Sequence, residues 1–323
     1  MSDLSVAIVN WNTRELLSDC LSSIYDKTQS LDFDVWVVDN GSTDGSVEMV
    51  KQKFPEVLLL ENTKNLGFSK ANNQVLRKNK SRYVLLLNSD TILLDNALKT
   101  LVDLMDSHPD AGASGCQLLN ADGSLQLSAG RFPGLWSILF GGEIFNNLYR
   151  KVFKNSRFFA EYGLSEEEHM HFQEIDHVKG CCLMLRQSVL EKTGLLDEDI
   201  FMYFEEIDLC FQIKKTGAKV LYTPEGHIVH LGGQSSICRE KSVFGNLKSQ
   251  EYYFRKNYGV CYAILLRFVV ALGAVIRLPV YLVAYLLSKN GEKAVLKSRT
   301  MLNVYTLKWQ LINMFQRPGR ICL

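Results

Sequence analysis

Short apolar runs alternate with amphipathic stretches over roughly the first 120 residues. The apolar runs predict strands at 4–10, 33–40, 56–62 and 82–90. The amphipathic stretches predict helices near 14–26, 44–53, 69–79 and 95–107. This alternation is typical of strand–helix–strand units, which form a mostly parallel sheet with helices on its faces. We therefore expect an α/β fold.

The pattern continues less regularly to about residue 240. It predicts a strand at 112–116, a hairpin over 117–126, a strand at 178–186, a helix from Gln187, a helix through 204–216 and a strand at 219–223. The stretch 130–175 has no clear period, and we interpret it as a mobile loop or lid.

A second kind of pattern begins near the C-terminus. The 28 residues 260–287 contain only Arg267 and Arg277 as charged side chains. At about 1.5 Å per residue, a helix of this length could cross roughly 30 Å of hydrocarbon, although a central arginine costs about 2.5–3.5 kcal/mol there. Three interpretations stay open: an in-plane or re-entrant membrane helix pair, a true span, or a helix packed on protein. Tyr305 and Trp309, in a later amphipathic stretch, are candidate interface anchors.

Composition and charge support a division into two parts. The chain has 323 residues, of which 47% are hydrophobic and 22% charged, so it is a folded protein rather than a disordered one. The net charge of +1 conceals a contrast, because residues 255–323 hold 11 Lys and Arg against one acid, Glu292. We expect a catalytic domain over 1–240 and a basic, apolar, helical membrane-associating region over 241–323. Nucleic-acid binding is not expected, because the basic residues surround an apolar segment.

The cysteines and the N-terminus bear on location. The eight cysteines show no CxxC spacing, so reduced thiols are expected. The first strand follows Met-Ser-Asp directly, without the basic leader of a signal peptide. We therefore expect the catalytic part in the cytoplasm, at the inner face of the cell membrane.

Three of the predicted strands end in polar clusters, at 10–12, 39–42 and 88–90. Sheets of this kind bind ligands beyond the carboxyl ends of their strands. The chain has neither GxGxxG after the first strand nor GxxxxGK[ST], so the usual backbone cradles for phosphate are missing. A divalent cation would then have to neutralise a bound diphosphate, and Asp90 is a candidate ligand. Taken alone, Asn88-Ser89-Asp90 is also consistent with a helix N-cap.

Together, a series of motifs resembles glycosyltransferase family 2, and most of all its rhamnosyltransferase-like members. The motifs are VNWN (9–12), VVDNGSTDGS (37–46), NLGFSKANN (65–73), LLLNSD (85–90), VKGCCLMLR (178–186), GLLDEDIFMYFEEIDLCF (194–211) and HIVHLGG (227–233). The resemblance covers about 4–235. It implies a GT-A fold, a nucleotide-diphosphate sugar donor, Mg²⁺ or Mn²⁺, and inversion at the anomeric carbon.

The resemblance also implies roles for single residues on the donor side. Asp39 matches the aspartate that binds the pyrimidine ring, and Asn10 and Asn12 belong to the loop around that base. Asp90 matches the last residue of the DXD-type metal motif, where Asn88 replaces the more usual aspartate. The remaining positions implied near the donor and the metal are Asn65, Gly67, Asn72, Gly180 and His230. His227 is a nearby alternative to His230, and His169 and His171 receive no role.

On the acceptor side, Glu205-Glu206 matches the acidic pair whose second member is the general base, so Glu206 is the expected base. Glu205 and Asp208 are expected to orient or cap, and Asp197 to shape the acceptor side. From spacing alone, Glu205, Glu206 and Asp208 could instead be the negative charges favoured at a helix N-terminus.

The resemblance implies an inverting transferase that moves a sugar, rhamnose from dTDP-rhamnose in the leading version, onto a lipid-linked or polysaccharide acceptor in bacterial surface-glycan synthesis. The alternatives are a UDP-sugar donor in the same class of enzyme and an inactive membrane-bound scaffold. A nucleotidyltransferase is disfavoured because its glycine-rich, lysine-bearing loop is missing after the first strand. The chain could also form a homo-oligomer.

Overall fold

The computed structural model describes residues 2–140, 164–232, 239–288 and 293–313. These fall into two compact units, one from the segments Met1–Phe132 and Gly163–Ser235 and the other from Pro133–Tyr162 and Ser236–Leu323. Much of the loop or lid expected over 130–175 lies outside the described residues. The predicted domain boundary at 240/241 stays a prediction.

The first unit is built on one large mixed sheet. Its strands are β1 Leu4–Asn10, β2 Phe33–Asp39, β3 Leu58–Glu61, β4 Tyr83–Asn88, β5 Thr91–Leu93, β6 Ala111–Leu119, β7 Leu125–Gln126, β9 Gln173–Ile175, β11 Cys182–Arg186 and β12 Lys219–His230. The order is β3-β2-β1-β4-β11-β6-β12-β5, with β7 beside β6 and β9 beside β12. Strands β8 Ala129–Gly130 and β10 His177–Val178 pair separately.

Helices cover both faces of this sheet. They are α1 Arg14–Lys27, α2 Ser46–Lys53, α3 Phe68–Leu76, α4 Ala97–Ser107, α6 Gln187–Thr193 and α7 Glu205–Lys215, with a short 3-10 turn at Glu168–Met170. The strands bury apolar side chains on both faces, as a sheet covered on both sides requires. This is a mixed α/β, GT-A-like fold, as expected.

The predicted strand–helix alternation holds for β1 to β4, and these four strands pair in parallel with one another in the sheet. Two features of the sheet differ from the prediction. The centre is antiparallel, because β11 lies between β4 and β6. Strand β12 runs to His230 rather than stopping near residue 223, and its register shifts between Tyr222 and His227, around Pro224. Proline lacks the N–H that a ladder needs, so the pairing of β12 with β6 resumes only after this shift.

The second unit is helical within the described residues. Its elements are α5 Leu135–Phe140, α8 Arg239–Tyr258, α9 Val260–Leu287 and α10 Lys293–Asn313. The predicted 28-residue helix is therefore present as α9, which packs against α5, α8 and α10. Among the described residues, α9 is the one helix that is long and apolar enough to cross a membrane.

The structure corrects one expectation for this unit. Trp309 is buried and its ring packs against Phe244, with the ring centroids 5.2 Å apart. It belongs to the packing between α8 and α10 and is not an exposed interface anchor.

Candidate active site

The polar clusters that follow β1, β2 and β4 meet at one edge of the sheet. Asn10 lies opposite Asp39 in the parallel register, and Asn88 lies opposite Val9 on the other side of β1. Asn10 and Asp39 are fully or almost fully buried. The structure therefore brings the predicted base-binding residues and the predicted metal motif to neighbouring strand ends.

Asp39 organises the turn that follows β2. Its Oδ1 accepts from the Asn10 side-chain amide at 2.9 Å, and its Oδ2 accepts from the backbone N–H groups of Gly41 and Ser42 at 3.1 and 2.9 Å. An ionised carboxylate can accept about four hydrogen bonds. The contacts within the chain use three of these, so Asp39 keeps capacity for one further donor.

A hydroxyl chain joins this turn to the metal motif. Thr13 donates to Asn10 Oδ1 at 2.7 Å, and its hydroxyl lies 2.9 Å from that of Ser89. Asn12 has a left-handed backbone (φ 54°), and its amide oxygen accepts from Thr43 N at 2.8 Å. A cavity of about 400 Å³ lies here, lined by Asn12, Thr13, Arg14, Glu15, Leu16 and Asp44.

Asp90 and His230 form a close pair at this edge. His230 Nε2 lies 3.4 Å from Asp90 Oδ1, and both side chains are largely buried. Asn88 Nδ2 lies 3.2 Å from the same Nε2. His230 Nδ1 lies 2.7 Å from Gln126 Oε1, an acceptor, so Nδ1 donates there and Nε2 is the nitrogen that faces Asp90. A partner of this kind is what fixes the tautomer of a metal-binding histidine.

The chemistry of this pair fits a divalent cation bound together with a diphosphate. The described residues contain no group of three or more His, Cys, Asp or Glu side chains that could hold a metal ion by themselves. Mg²⁺ is usually held by one or two carboxylates plus substrate phosphates and water, so a site with Asp90 and one imidazole is adequate.

The other histidines have different surroundings. His227 lies on the same strand, but its Nδ1 is 2.6 Å from Asp95 Oδ2, away from the Asp90 pair. His169 is fully buried, and its Nε2 accepts from the N–H groups of Ser128 and Ala129 at 3.0 and 3.2 Å. Burial lowers the pKa of His169. Its contacts are those of a structural residue.

Helix α3 holds the loop that leads into the acidic helix α7. Gly67 N–H donates to Asn65 Oδ1 at 2.9 Å, and Gly67 itself has a left-handed φ of +85°. A Cβ at Gly67 would lie only 2.7 Å from the backbone oxygen of Phe201, so glycine is required here for close approach. Asn72 is buried, and its amide donates to Phe68 O at 3.1 Å. This hydrogen bond lies within α3 and stabilises that helix.

The acidic pair begins α7. Tyr203 and Phe204, which precede it, both have left-handed backbones, with φ of 69° and 70°. This conformation is rare for bulky residues and is found where structure is constrained by function. Glu205 is buried, Glu206 is half-buried, and the Oε2 atom of each has no hydrogen-bond partner among the described residues.

The surroundings raise the pKa of both carboxyl groups. Burial, and then the charge of Glu206, raise the pKa of Glu205 well above its usual range. Burial also raises the pKa of Glu206, but backbone N–H groups, including that of Gly180, and the charge of Lys179 oppose this. A Cβ at Gly180 would lie 3.5 Å from the Cβ of Glu206, so this glycine borders the carboxyl-bearing side chain.

The remaining predicted acids have local contacts. Asp197 accepts from Asp199 N–H at 3.0 Å through Oδ1, which shapes the loop before α7. Asp208 is buried in the first turn of α7 and lies 3.4 Å from the Gln212 amide.

Four residues with contacts at the site were not predicted from the sequence: Thr13, Ser42, Gln126 and Asn73. Ser42 stands inside a quoted motif and Thr13 directly follows one, so they could have been found. Gln126 follows a hairpin turn far along the chain from its histidine partner, and no local signal marks it.

A family model described as Glycosyl transferase family 2 matches residues 5–194. The chain therefore belongs to glycosyltransferase family 2, and its GT-A-like fold agrees with this membership.

Two curated relatives are rhamnosyltransferases. N-acetylglucosaminyl-diphospho-decaprenol L-rhamnosyltransferase of Mycobacterium tuberculosis is 28% identical over 211 residues, which cover 61% of this chain and 66% of that protein. Rhamnosyltransferase WbbL of Escherichia coli is 24% identical over 172 residues, which cover 51% of this chain and 60% of that protein. The chain thus spans just under two thirds of the length of these relatives.

Solved structures support the fold. A mannosyltransferase of Pyrobaculum calidifontis, in complex with GDP-Man and Mn²⁺, superposes with a TM-score of 0.60 at 16% identity, covering 98% of this chain and 88% of that one. GalNAc-T7 with UDP, GalNAc and Mn²⁺ superposes with a TM-score of 0.57 at 15% identity, covering 97% of this chain and 56% of that one.

Proposed function

We propose that this glycosyltransferase moves rhamnose from dTDP-rhamnose, with inversion, onto a lipid-linked saccharide during assembly of a bacterial surface glycan. Two relatives named as rhamnosyltransferases support this donor, and the decaprenol-linked substrate in one of their names supports this acceptor. The observation that carries the proposal is Glu206, a half-buried residue whose Oε2 atom is buried and has no hydrogen-bond partner among the described residues.

Glu206 is the general base in this proposal. Its carboxylate takes the proton of the acceptor hydroxyl, and the hydroxyl oxygen attacks the anomeric carbon as the bond to the leaving diphosphate breaks. The raised pKa of Glu206 makes it a stronger base than an exposed glutamate, while the nearby N–H groups keep its ionised form accessible. The left-handed residues before α7 hold the helix start that presents it.

The donor is held on the other side of the site. Asp39 has capacity for a ring N–H of thymine or uracil, and Asn10 and Ser42 fix its orientation. Asp90 and His230 would hold Mg²⁺ or Mn²⁺, with Gln126 accepting from Nδ1 of His230. The bound cation supplies the positive charge that stabilises a leaving diphosphate.

The base assignment is tested with Glu206→Gln in detergent-solubilised protein. We expect the donor-induced rise in melting temperature to persist while turnover falls by about 10²–10⁴, the usual contribution of a positioned acid or base. Glu225→Gln, an exposed acid on β12, is the matched control and should retain wild-type turnover. Near-wild-type turnover in folded Glu206→Gln would contradict the assignment.

The metal assignment is tested on the two histidines of β12. His230→Asn should abolish the Mn²⁺-dependent part of the donor-induced stabilisation, whereas His227→Asn, three residues away and paired with Asp95, should leave it unchanged.

A panel of dTDP-, UDP- and GDP-sugars in the same assay identifies the donor. Folded protein that responds to no nucleotide at any metal concentration would favour the scaffold instead.

A further inference from the structure

Helix α9 exposes one continuous apolar face. Most of its exposed side chains recur at spacings of three or four residues, which place them on a single side of a helix. We name this surface the apolar stripe, and it consists of Cys261, Ile264, Leu265, Phe268, Leu272, Val275, Pro279, Leu282, Val283 and Leu286. The stripe contains no charged residue, and side chains such as Phe268 and Leu286 are 59% and 69% exposed. Uncovered apolar surfaces of this extent mark interaction sites.

The opposite face of α9 carries both of its charges, and protein groups satisfy them. Arg267 is buried and makes a bidentate contact with Glu251 at 2.7 and 2.8 Å. Its Nη1 also donates to Asn313 O at 2.8 Å. Arg277 donates to the backbone oxygens of Ile138 and Leu139 at 2.9 and 3.0 Å. Protein groups therefore satisfy both arginines. Neither charge prevents the stripe side of α9 from lying in an apolar environment.

The neighbours of α9 oppose a transmembrane arrangement. Helix α8 carries seven charged residues and α10 carries four, and both pack against α9. A crossing of the bilayer by the packed unit would draw these charges into hydrocarbon, which disfavours each Lys or Arg near the centre. A helix that lies in the plane of the interface keeps one apolar side in the acyl region and its polar neighbours in water.

The charge of this unit identifies the kind of membrane. The described residues of the second unit contain eleven Lys and Arg and two Glu, a net charge of +9. Lys241, Lys256 and Lys297 are exposed. Basic residues near an anionic leaflet contribute about 1 kcal/mol each to binding. The surface is therefore complementary to anionic lipid rather than to a second, equally basic copy of the chain.

We propose that the chain attaches to an anionic leaflet in a monotopic manner, with α9 lying in the plane of the membrane and the apolar stripe inserted. This deepens the proposed function, because it rests on the proposal that the acceptor is lipid-linked, and it specifies how the chain reaches that lipid. It assigns a binding surface to a face of α9 that the described residues leave exposed.

The first test measures co-sedimentation of the full chain with vesicles, without donor or metal. Vesicles with a large phosphatidylglycerol fraction should bind the chain, and pure phosphatidylcholine vesicles should bind it at least tenfold less. Phe268→Glu and Leu272→Glu should each weaken binding about tenfold or more. Leu58→Glu, which changes an exposed leucine of the first unit in the same way, should have no effect. Equal binding by all four proteins would overturn the proposal.

The second test separates an in-plane helix from a span. Single cysteines at the exposed positions Lys256 and Lys297, on either side of α9, are introduced after replacement of Cys238, Cys261 and Cys322 by serine. A membrane-impermeant maleimide added outside sealed vesicles should label Lys256→Cys and Lys297→Cys to the same extent. Labelling of only one of them would mean that α9 crosses the bilayer and would overturn the proposal.

Two further outcomes are informative. A dimer in light scattering that disappears with Phe268→Glu, in protein that does not bind vesicles, would assign the stripe to a second copy and overturn the proposal.

Donor hydrolysis is measured in detergent in parallel. Intact hydrolysis without vesicle binding would refute the attachment alone, whereas vesicle binding without hydrolysis would refute the proposed function alone.

Discussion

Buried histidines are the residues whose charge most directly links this fold to pH. His177 lies in the short β10–β8 pair, and burial lowers its pKa to about 4. The neutral form is therefore favoured in the folded chain, whereas the unfolded chain binds a proton near the ordinary pKa of about 6.5. Because the folded pKa is lowered, the stability contributed by this residue is complete above pH 6.5 and is lost as the pH falls towards 4.

Substitution of His177 should flatten this dependence. The free energy of unfolding of the wild-type chain should fall by up to about 3 kcal/mol from this residue between pH 6.5 and 4. His177→Asn should lose most of that slope, with a remainder from His169, whose pKa burial also lowers. The measurement is urea unfolding at a series of pH values. His171→Asn changes an exposed histidine and should keep the wild-type slope; an unchanged slope in His177→Asn would contradict the prediction.

At the scale of elements, the acidic helix α7 depends on α3. Asn73 donates to Leu196 O at 2.8 Å and accepts from Leu196 N at 3.1 Å, so one side chain satisfies both backbone groups of that residue. Ser69 donates to Ile200 O at 2.7 Å, and Phe68 N donates to Phe201 O at 2.9 Å. These contacts fix the loop that leads to Glu206, the proposed general base.

Removal of the Asn73 side chain should therefore affect both stability and turnover. Asn73→Ala leaves buried polar groups of Leu196 without partners, at a cost of about 1–3 kcal/mol in the free energy of unfolding. We expect kcat to fall more than donor affinity, because the loop leads to Glu206 and not to Asp39. Thermal unfolding and steady-state kinetics measure the two effects. Lys78→Ala, an exposed change just beyond α3, is the control, and equal behaviour of the two variants would refute the role given to Asn73.

The ion pair between α8 and α9 is the corresponding element-scale feature of the second unit. Both Arg267 and Glu251 are about 95% buried as side chains. Arg267→Met leaves the Glu251 charge buried and unpaired, which should cost about 3–5 kcal/mol. The double variant Arg267→Met with Glu251→Leu should recover much of this loss, because both charges are then removed. Chemical denaturation of the four proteins of this cycle gives the coupling energy, and additive losses would contradict the prediction.

At the scale of the whole molecule, the sequence predicted the parts of the fold that local pattern determines. The parallel strands β1 to β4 and helix α9 follow directly from apolar runs, and their positions are confirmed. The antiparallel insertion of β11 and the continuation of β12 past Pro224 were not predictable in this way, because long-range pairing decides them. The helices of the second unit pack by contacts such as Arg267–Glu251, which no periodicity reveals.

The residues of the candidate site were likewise predicted only in part. The resemblance identified Asp90 and His230, and the structure places them 3.4 Å apart although they are far apart in the chain. It did not identify Gln126, which reaches His230 from a hairpin, or Asn73, which acts on a loop more than 120 residues away. Asn73 closes the NLGFSKANN motif and Gln126 lies in none of the motifs, but neither position shows in the sequence which distant group it contacts, and this is why both were missed.

Thiol chemistry distinguishes one cysteine from the others that the structure describes. Cys20, Cys116, Cys181, Cys182 and Cys210 are buried, whereas Cys261 is exposed. Burial raises the pKa of Cys20 and Cys210 to about 12, so the reactive thiolate is scarce there at neutral pH. With Cys238 and Cys322 replaced by serine, a polarity-sensitive dye attached through its maleimide group would therefore report from Cys261. The emission wavelength of the dye would report the dielectric environment of Cys261 directly, and the buried interior would not be changed.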